Sequence, residues 1–172
     1  REIYAIGITD YFSIDRYKEV KAYQETILTN PDFSDKEKAF INDILLLPNV
    51  ELRMLPVTDR GKLVNIHCIF NPEYVGHLEN DFFGSLSFKV AGQDFKMNEA
   101  GLIGLGKHYD ANLDGKAAYK VGVEHFITSH DRLQELFENN TKLRENTVIV
   151  VSNSSNDGNS AYQKHYDLFK DE

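Results

Sequence analysis

Hydrophobic residues recur along this chain with two periods, and the periods divide it into strands and helices. In 63–70 they alternate. Val64, Ile66, Cys68 and Phe70 make one apolar face, and Asn65 and His67 lie on the other with Leu63 and Ile69. Residues 50–56 alternate too, with Glu51, Arg53 and Leu55 opposite Leu52 and Met54, and the turn read over 58–61 makes 50–56 and 63–70 a hairpin or near neighbours. Residues 3–9 read as a buried strand ending on the acid Asp10, and 147–151 as a fully apolar strand of a sheet covered on both faces. Short strands are expected in 86–97, around Ala91 and Gly92.

Between these segments the period becomes helical. Ser13 is placed as the cap of a helix over 14–29, with Ile14, Tyr17, Val20, Tyr23 and Ile27 near helical spacing. Pro31 breaks it. Ser34 with Glu37 forms a capping-box pattern for a helix over about 35–46, and Pro48 and Asn49 read as a turn. Further helices are expected over 73–83, 98–108 (despite Gly101, Gly104 and Gly106), 115–122 and 129–139, the last capped by Ser129. The Ser/Asn/Gly-rich stretch 152–160 reads as a loop before a short helix to about 169. The alternation predicts one α/β domain over 1–172. It is expected to be a partial or distorted (β/α) barrel-like domain, with 3–9, 50–56, 63–70 and 147–151 in one largely parallel sheet and helices outside.

Composition narrows the function classes. The 172 residues suit a single core, and 41% hydrophobic with 27% charged residues is an ordinary globular mix. The net charge of −8 runs against a duplex-binding surface and against docking on anionic membranes. No apolar run approaches the ~20 residues of a membrane span. Cys68 is the one cysteine, so no intrachain disulfide forms, which suits a reducing, cytoplasmic setting. Among apolar neighbours it reads as a buried, inert core thiol. An opening on Arg1 without a Met is what a trimmed chain would show.

Three residues are candidates for chemistry. Asp10 ends an apolar strand just before a helix, where open α/β sheets place their sites; its plain alternative is capping that helix. His67 shares a face with Asn65, a polar pair that is costly in a core unless hydrogen-bonded or functional. Glu51 shares its face with Arg53, and spacing alone favours reading the two as a solvated edge pair. The segment Asp110–Gly115 resembles the start of a calcium loop, but Val121 stands where the bidentate Glu belongs, so a turn is expected. Stretch 152–160 lacks the glycines and lysine of a P-loop. His77, His108, His125, His130 and His165 show no paired ligand spacing.

The segments 6–14, 48–52 and 64–70 together resemble the PHP (polymerase and histidinol phosphatase) superfamily, in the branch fused to a P-loop ATPase region. The resemblance is clearest over 3–70. It implies a distorted α/β barrel and hydrolysis of a phosphoester, in a phosphorylated small molecule or a nucleic acid, by a divalent-metal cluster (Zn, Mn or Fe). It implies Glu51 and His67 as metal ligands and Asp10 as a catalytic residue orienting a ligand. It also implies an ATPase domain in the same full-length chain. Tyr11 stands where the family's Thr-Asp-His motif has its histidine. The family's opening His-x-His falls before the first matched strand, and its closing Asp-x-His has no counterpart. The chain therefore resembles a truncated or degenerate member, expected to be inactive in isolation. The alternative is a non-catalytic binding or regulatory module that keeps the fold.

Overall fold

A computed structural model of the chain describes residues 3–58 and 61–151. The chain is α/β, built on a mixed sheet. Strand β1 (Ala5–Tyr11) leads through helix α1 (Asp15–Thr29) and helix α2 (Asp35–Asn42) to the long strand β2 (Leu45–Val57). Strand β3 (Leu63–Phe70) follows, then a 3-10 turn (Pro72–His77) and a π turn (Glu79–Phe83). A hairpin of β4 (Ser87–Val90) and β5 (Gln93–Lys96) leads to helices α3 (Glu99–Tyr109) and α4 (Gly115–His125). Short β6 (Thr128–Ser129), helices α5 (His130–Asn139) and α6 (Thr141–Glu145) and strand β7 (Thr147–Val151) complete the described chain. The stretch 152–160 and the helix expected after it lie outside the described residues.

The four expected strands do share one sheet, in the order β1-β2-β3-β7, with β6 beside β2. They are not largely parallel in pairing. β1 and β6 pair parallel with β2, whereas β3 is antiparallel to both β2 and β7. The reason is the connection. Only residues 58–62 separate β2 from β3, too few for the crossover a parallel pair needs. The described strands form an open sheet and do not close a barrel.

Every strand residue of this sheet in the core comes from one face: Leu46, Val50, Leu52 and Met54 of β2 and Val64, Ile66, Cys68 and Phe70 of β3. Each fully buried side chain of this kind contributes about 1.5–3 kcal/mol. Cys68 is completely buried, as its face requires, and burial pushes its thiol up to about 12. The opposite face stays open at β7, where Val148 is 62% and Val150 42% exposed. The expectation that β7 is covered on both faces is thus not met among the described residues.

Local signals explain most boundaries. Ser34 and Glu37 form the expected capping box, and Ser129 caps α5 by accepting from the Arg132 amide. Ser13 does not cap α1. Ile14 is the boundary residue, and the Ser13 hydroxyl donates to Asp10. The segment read as the end of α2 and a turn is instead the start of β2. Pro48 is tolerated there because β3 pairs only from Asn49 onward, so β2 has a single neighbour at that point. Ala91 and Gly92 both have positive φ, which suits the two-residue turn of β4–β5.

The glycines of α3 and α4 have a packing role. A Cβ on Gly106 would lie 1.8 Å from the Ala118 carbonyl oxygen, and one on Gly122 would lie 1.9 Å from that of Leu102. The two helices therefore meet backbone to backbone. No described helix is long and apolar enough to cross a membrane.

Candidate functional site

Three side chains form a row across the open face of the sheet. Tyr11 on β1 is in register with Glu51 on β2, and Glu51 is in register with His67 on β3. Adjacent strands lie about 4.8 Å apart, so the row spans roughly 10 Å of backbone. Alternation puts all three residues on the face the core does not use. The buried neighbours Val50, Leu52, Ile66 and Cys68 point the other way.

Two hydrogen-bonded sets hold the row. The Tyr11 hydroxyl donates to Glu51 Oε1 at 2.8 Å, and Asn65 Nδ2 donates to the same oxygen at 2.7 Å. His67 Nδ1 lies 3.3 Å from Asn49 Oδ1, and Asn49 Nδ2 donates to Thr9 Oγ1 at 2.7 Å. Glu51 Oε2 and His67 Nε2 have no hydrogen-bond partner among the described residues. Among the described residues Glu51 accepts from neutral donors only. No ion pair joins it to Arg53, so the solvated edge pair does not form.

Arg53 is tied off elsewhere. Its guanidinium donates to the carbonyls of Val123 and Glu124 in the last turn of α4, where the helix presents its negative end. It also stacks over the rings of Tyr11 and Phe12, 5.5 Å from each centroid. Burial pushes the Tyr11 phenol above its ordinary value, as do the hydrogen bond to Glu51 and that residue's charge, while Arg53 pulls the other way.

Asp10 does not join the row. β1 runs two residues further than 3–9, so Asp10 lies within it, in register with Val50 on the core side. Its carboxylate accepts from the Tyr11 amide at 2.9 Å and the Ser13 hydroxyl at 2.7 Å. It lines an open cleft of about 1000 Å³ among the starts of α1, α3 and α4, a cleft that Tyr11 of the row also borders. The expected convergence of Asp10, Glu51 and His67 is therefore not made: Glu51 and His67 are neighbours and Asp10 is across the sheet. The turn between them is sharp. Phe12 takes a positive φ of 54° and drops its ring into the core, edge-on to Phe126 at 5.2 Å.

The donor set offers two ligands of the kind that suit Zn, Mn or Fe: a carboxylate and an imidazole on adjacent strands. Tyr11 occupies the third place in the row with a protonated phenol. No group of three or more His, Cys, Asp and Glu side chains is placed to hold a metal among the described residues. The described residues alone do not make a complete centre, and no hydrolytic step is derived from them.

Sequence reasoning missed Tyr11, Thr9 and Asn49 as members of the site. Alternation through Gly7, Thr9 and Tyr11 was the available signal for β1. Asn49 was hidden behind Pro48. Asp110–Gly115 is a turn, as expected: Asp110 Oδ1 accepts from the Asn112 amide, and Asp114 pairs with Lys107 at 2.8 Å. No protein-family model, curated protein or solved structure matches the chain.

Proposed function

We propose that this chain is a PHP-like domain of an ATPase-linked, cytoplasmic protein, and that the row Tyr11–Glu51–His67 is its phosphoester-facing surface. The carrying observation is that Glu51 and His67 pair directly across β2 and β3 on the open face, each fixed from one side and uncommitted at Oε2 and Nε2. A carboxylate and an imidazole so arranged are half of a divalent-metal site. The reading carries with it a distorted barrel and further ligands that the described residues do not include. A phosphorylated small molecule or a nucleic-acid phosphoester is the ligand class.

Metal analysis of the full chain, purified without chelator, tests this reading. Zn, Mn or Fe bound in simple stoichiometry, with metal-dependent release of phosphate from a generic phosphoester, supports it. Metal-free protein that binds none of the three on titration overturns it.

The second reading is a non-catalytic binding or regulatory module. Tyr11 favours it, because a phenol that donates to Glu51 satisfies the carboxylate without metal. Full-length protein that binds none of the three metals and releases no phosphate is the outcome this reading expects.

A further inference from the structure

We propose that Thr9 and Asn49 act as a relay that holds the His67 ring in its Nδ1–H form, leaving the Nε2 lone pair as its acceptor. This rests on the reading of Glu51 and His67 as the working pair, and makes Asn49 a positioning residue for it.

Asn49 is only 8% exposed, so its amide must be satisfied by protein. The amide has two ends of opposite character, a donating NH₂ and an accepting oxygen. Its Nδ2 donates to Thr9 Oγ1 at 2.7 Å. That turns Oδ1 toward His67 Nδ1, 3.3 Å away. An acceptor facing a neutral imidazole nitrogen requires that nitrogen to carry the proton. Nε2 is then the unprotonated nitrogen, the one able to ligate a metal or accept a proton. Partners of this kind set the orientation and basicity of ligating histidines.

Register explains how the relay is built. Thr9 is paired with Asn49 across β1 and β2, on the same face as Glu51 and His67. Asn49 faces Ile69 directly across β2 and β3, which leaves His67 diagonal to it, within reach of its side chain. Tyr11 and Asn65 do for Glu51 what Thr9 and Asn49 do for His67. Each residue of the pair is gripped at one polar atom by uncharged neighbours.

The experiment is nitrogen NMR of the imidazole ring in the metal-free full chain at alkaline pH. There the protonated and lone-pair nitrogens of His67 are resolved by shift. In the wild type Nδ1 should be the protonated nitrogen. Asn49→Leu removes the acceptor and should move the proton to Nε2 or leave a mixture. Asn49→Asp keeps an acceptor and should keep the Nδ1–H form, a rescue that general loss of packing would not give. Asn49 is buried, so Thr9→Val serves as the second variant. Thr9 is exposed, the fold should persist, and the Nδ1–H population should fall as the Asn49 amide is freed to turn.

A wild-type ring protonated at Nε2, or no response to either Asn49→Leu or Thr9→Val, overturns the relay. The readout needs no metal, so the relay can stand even if the metal reading of Glu51 and His67 fails. If metal does bind, Asn49→Leu should weaken it by about 10–100-fold.

Discussion

The two faces of the β2–β3 pair are built from the same alternating strands, yet they are held by different physics. On the buried face, Val50, Leu52 and Met54 meet Val64, Ile66 and Cys68, all with no exposed surface. Any apolar side chain of suitable volume would serve there. On the open face each residue depends on particular neighbours: Glu51 on Tyr11 and Asn65, His67 on Asn49, Asn49 on Thr9. That face also carries unmet needs. Arg53 Nε and Asn65 Oδ1 are buried atoms with no partner among the described residues, a cost of about 1–3 kcal/mol each, against Thr128 Oγ1 alone on the core side. A face that gives up stability beside one that accumulates it is what a binding surface laid on a packed scaffold looks like.

The sharpest way to break the comparison is to cut into the buried face. Phe70 is buried and packs edge-on to Phe82 at 4.8 Å. Phe70→Ala should cost about 3–5 kcal/mol in urea unfolding. A loss near 1 kcal/mol would mean the core relaxes freely around the gap.

Alkaline pH probes the same face. The Cys68 thiol is raised from 9.0 to about 12 by burial. The folded form holds its proton more tightly than the unfolded form. The associated stability is therefore complete below pH 9 and is lost as pH rises from 9 towards 12, by up to roughly 4 kcal/mol in all at 1.36 kcal/mol per unit. Cys68→Ala should flatten that part of the pH profile. Rapid labelling of the native thiol at neutral pH would contradict the burial on which this rests.

A smaller effect is expected where the core face leans on the α3–α4 pair. Gly122→Ala gains helix propensity of about 1 kcal/mol but drives a Cβ to 1.9 Å from the Leu102 carbonyl. The net should be a loss of about 1–3 kcal/mol, as overpacking usually costs. A stabilised variant would show that the helices can separate at little cost.

The least effect on stability belongs to the open face. Tyr11→Phe removes one hydrogen bond and Glu51→Gln weakens the two at Oε1, and each should change unfolding by about 0.5–1.5 kcal/mol. If either approached the Phe70→Ala loss, the open face would be structural and the contrast between the faces would fail.

Much of this was legible in the chain, and the omissions have particular causes. The buried set Val64, Ile66, Cys68 and Phe70, and the placing of Asn65 and His67 opposite it, follow from alternation alone. So do the capping box at Ser34 and the hairpin turn at Ala91–Gly92. Asp10 was misplaced because β1 continues through Tyr11. Period two assigns a face only when the true strand end is known, and Phe12's positive φ, where the chain turns, is not a signal a phenylalanine advertises. The turn read over 58–61 already allowed a hairpin of β2 and β3, but the near-continuous apolar strands pointed to a largely parallel sheet. Asn49 was lost because Pro48 beside it read as a turn, and only the late start of β3 pairing makes that proline compatible with a strand. The adjacency of Glu51 and His67 is a matter of register, set by the turn and bulge between β2 and β3 rather than by either strand's own pattern.

Calorimetric titration of Zn(II) into the full chain, beside Glu51→Gln and His67→Ala, tests the central claim most directly. The account predicts binding in the wild type that is lost in both variants, with each variant still folded and within about 1.5 kcal/mol of wild-type stability. Binding that persists unchanged in both would place the metal elsewhere and contradict the assignment of the open face as the functional one.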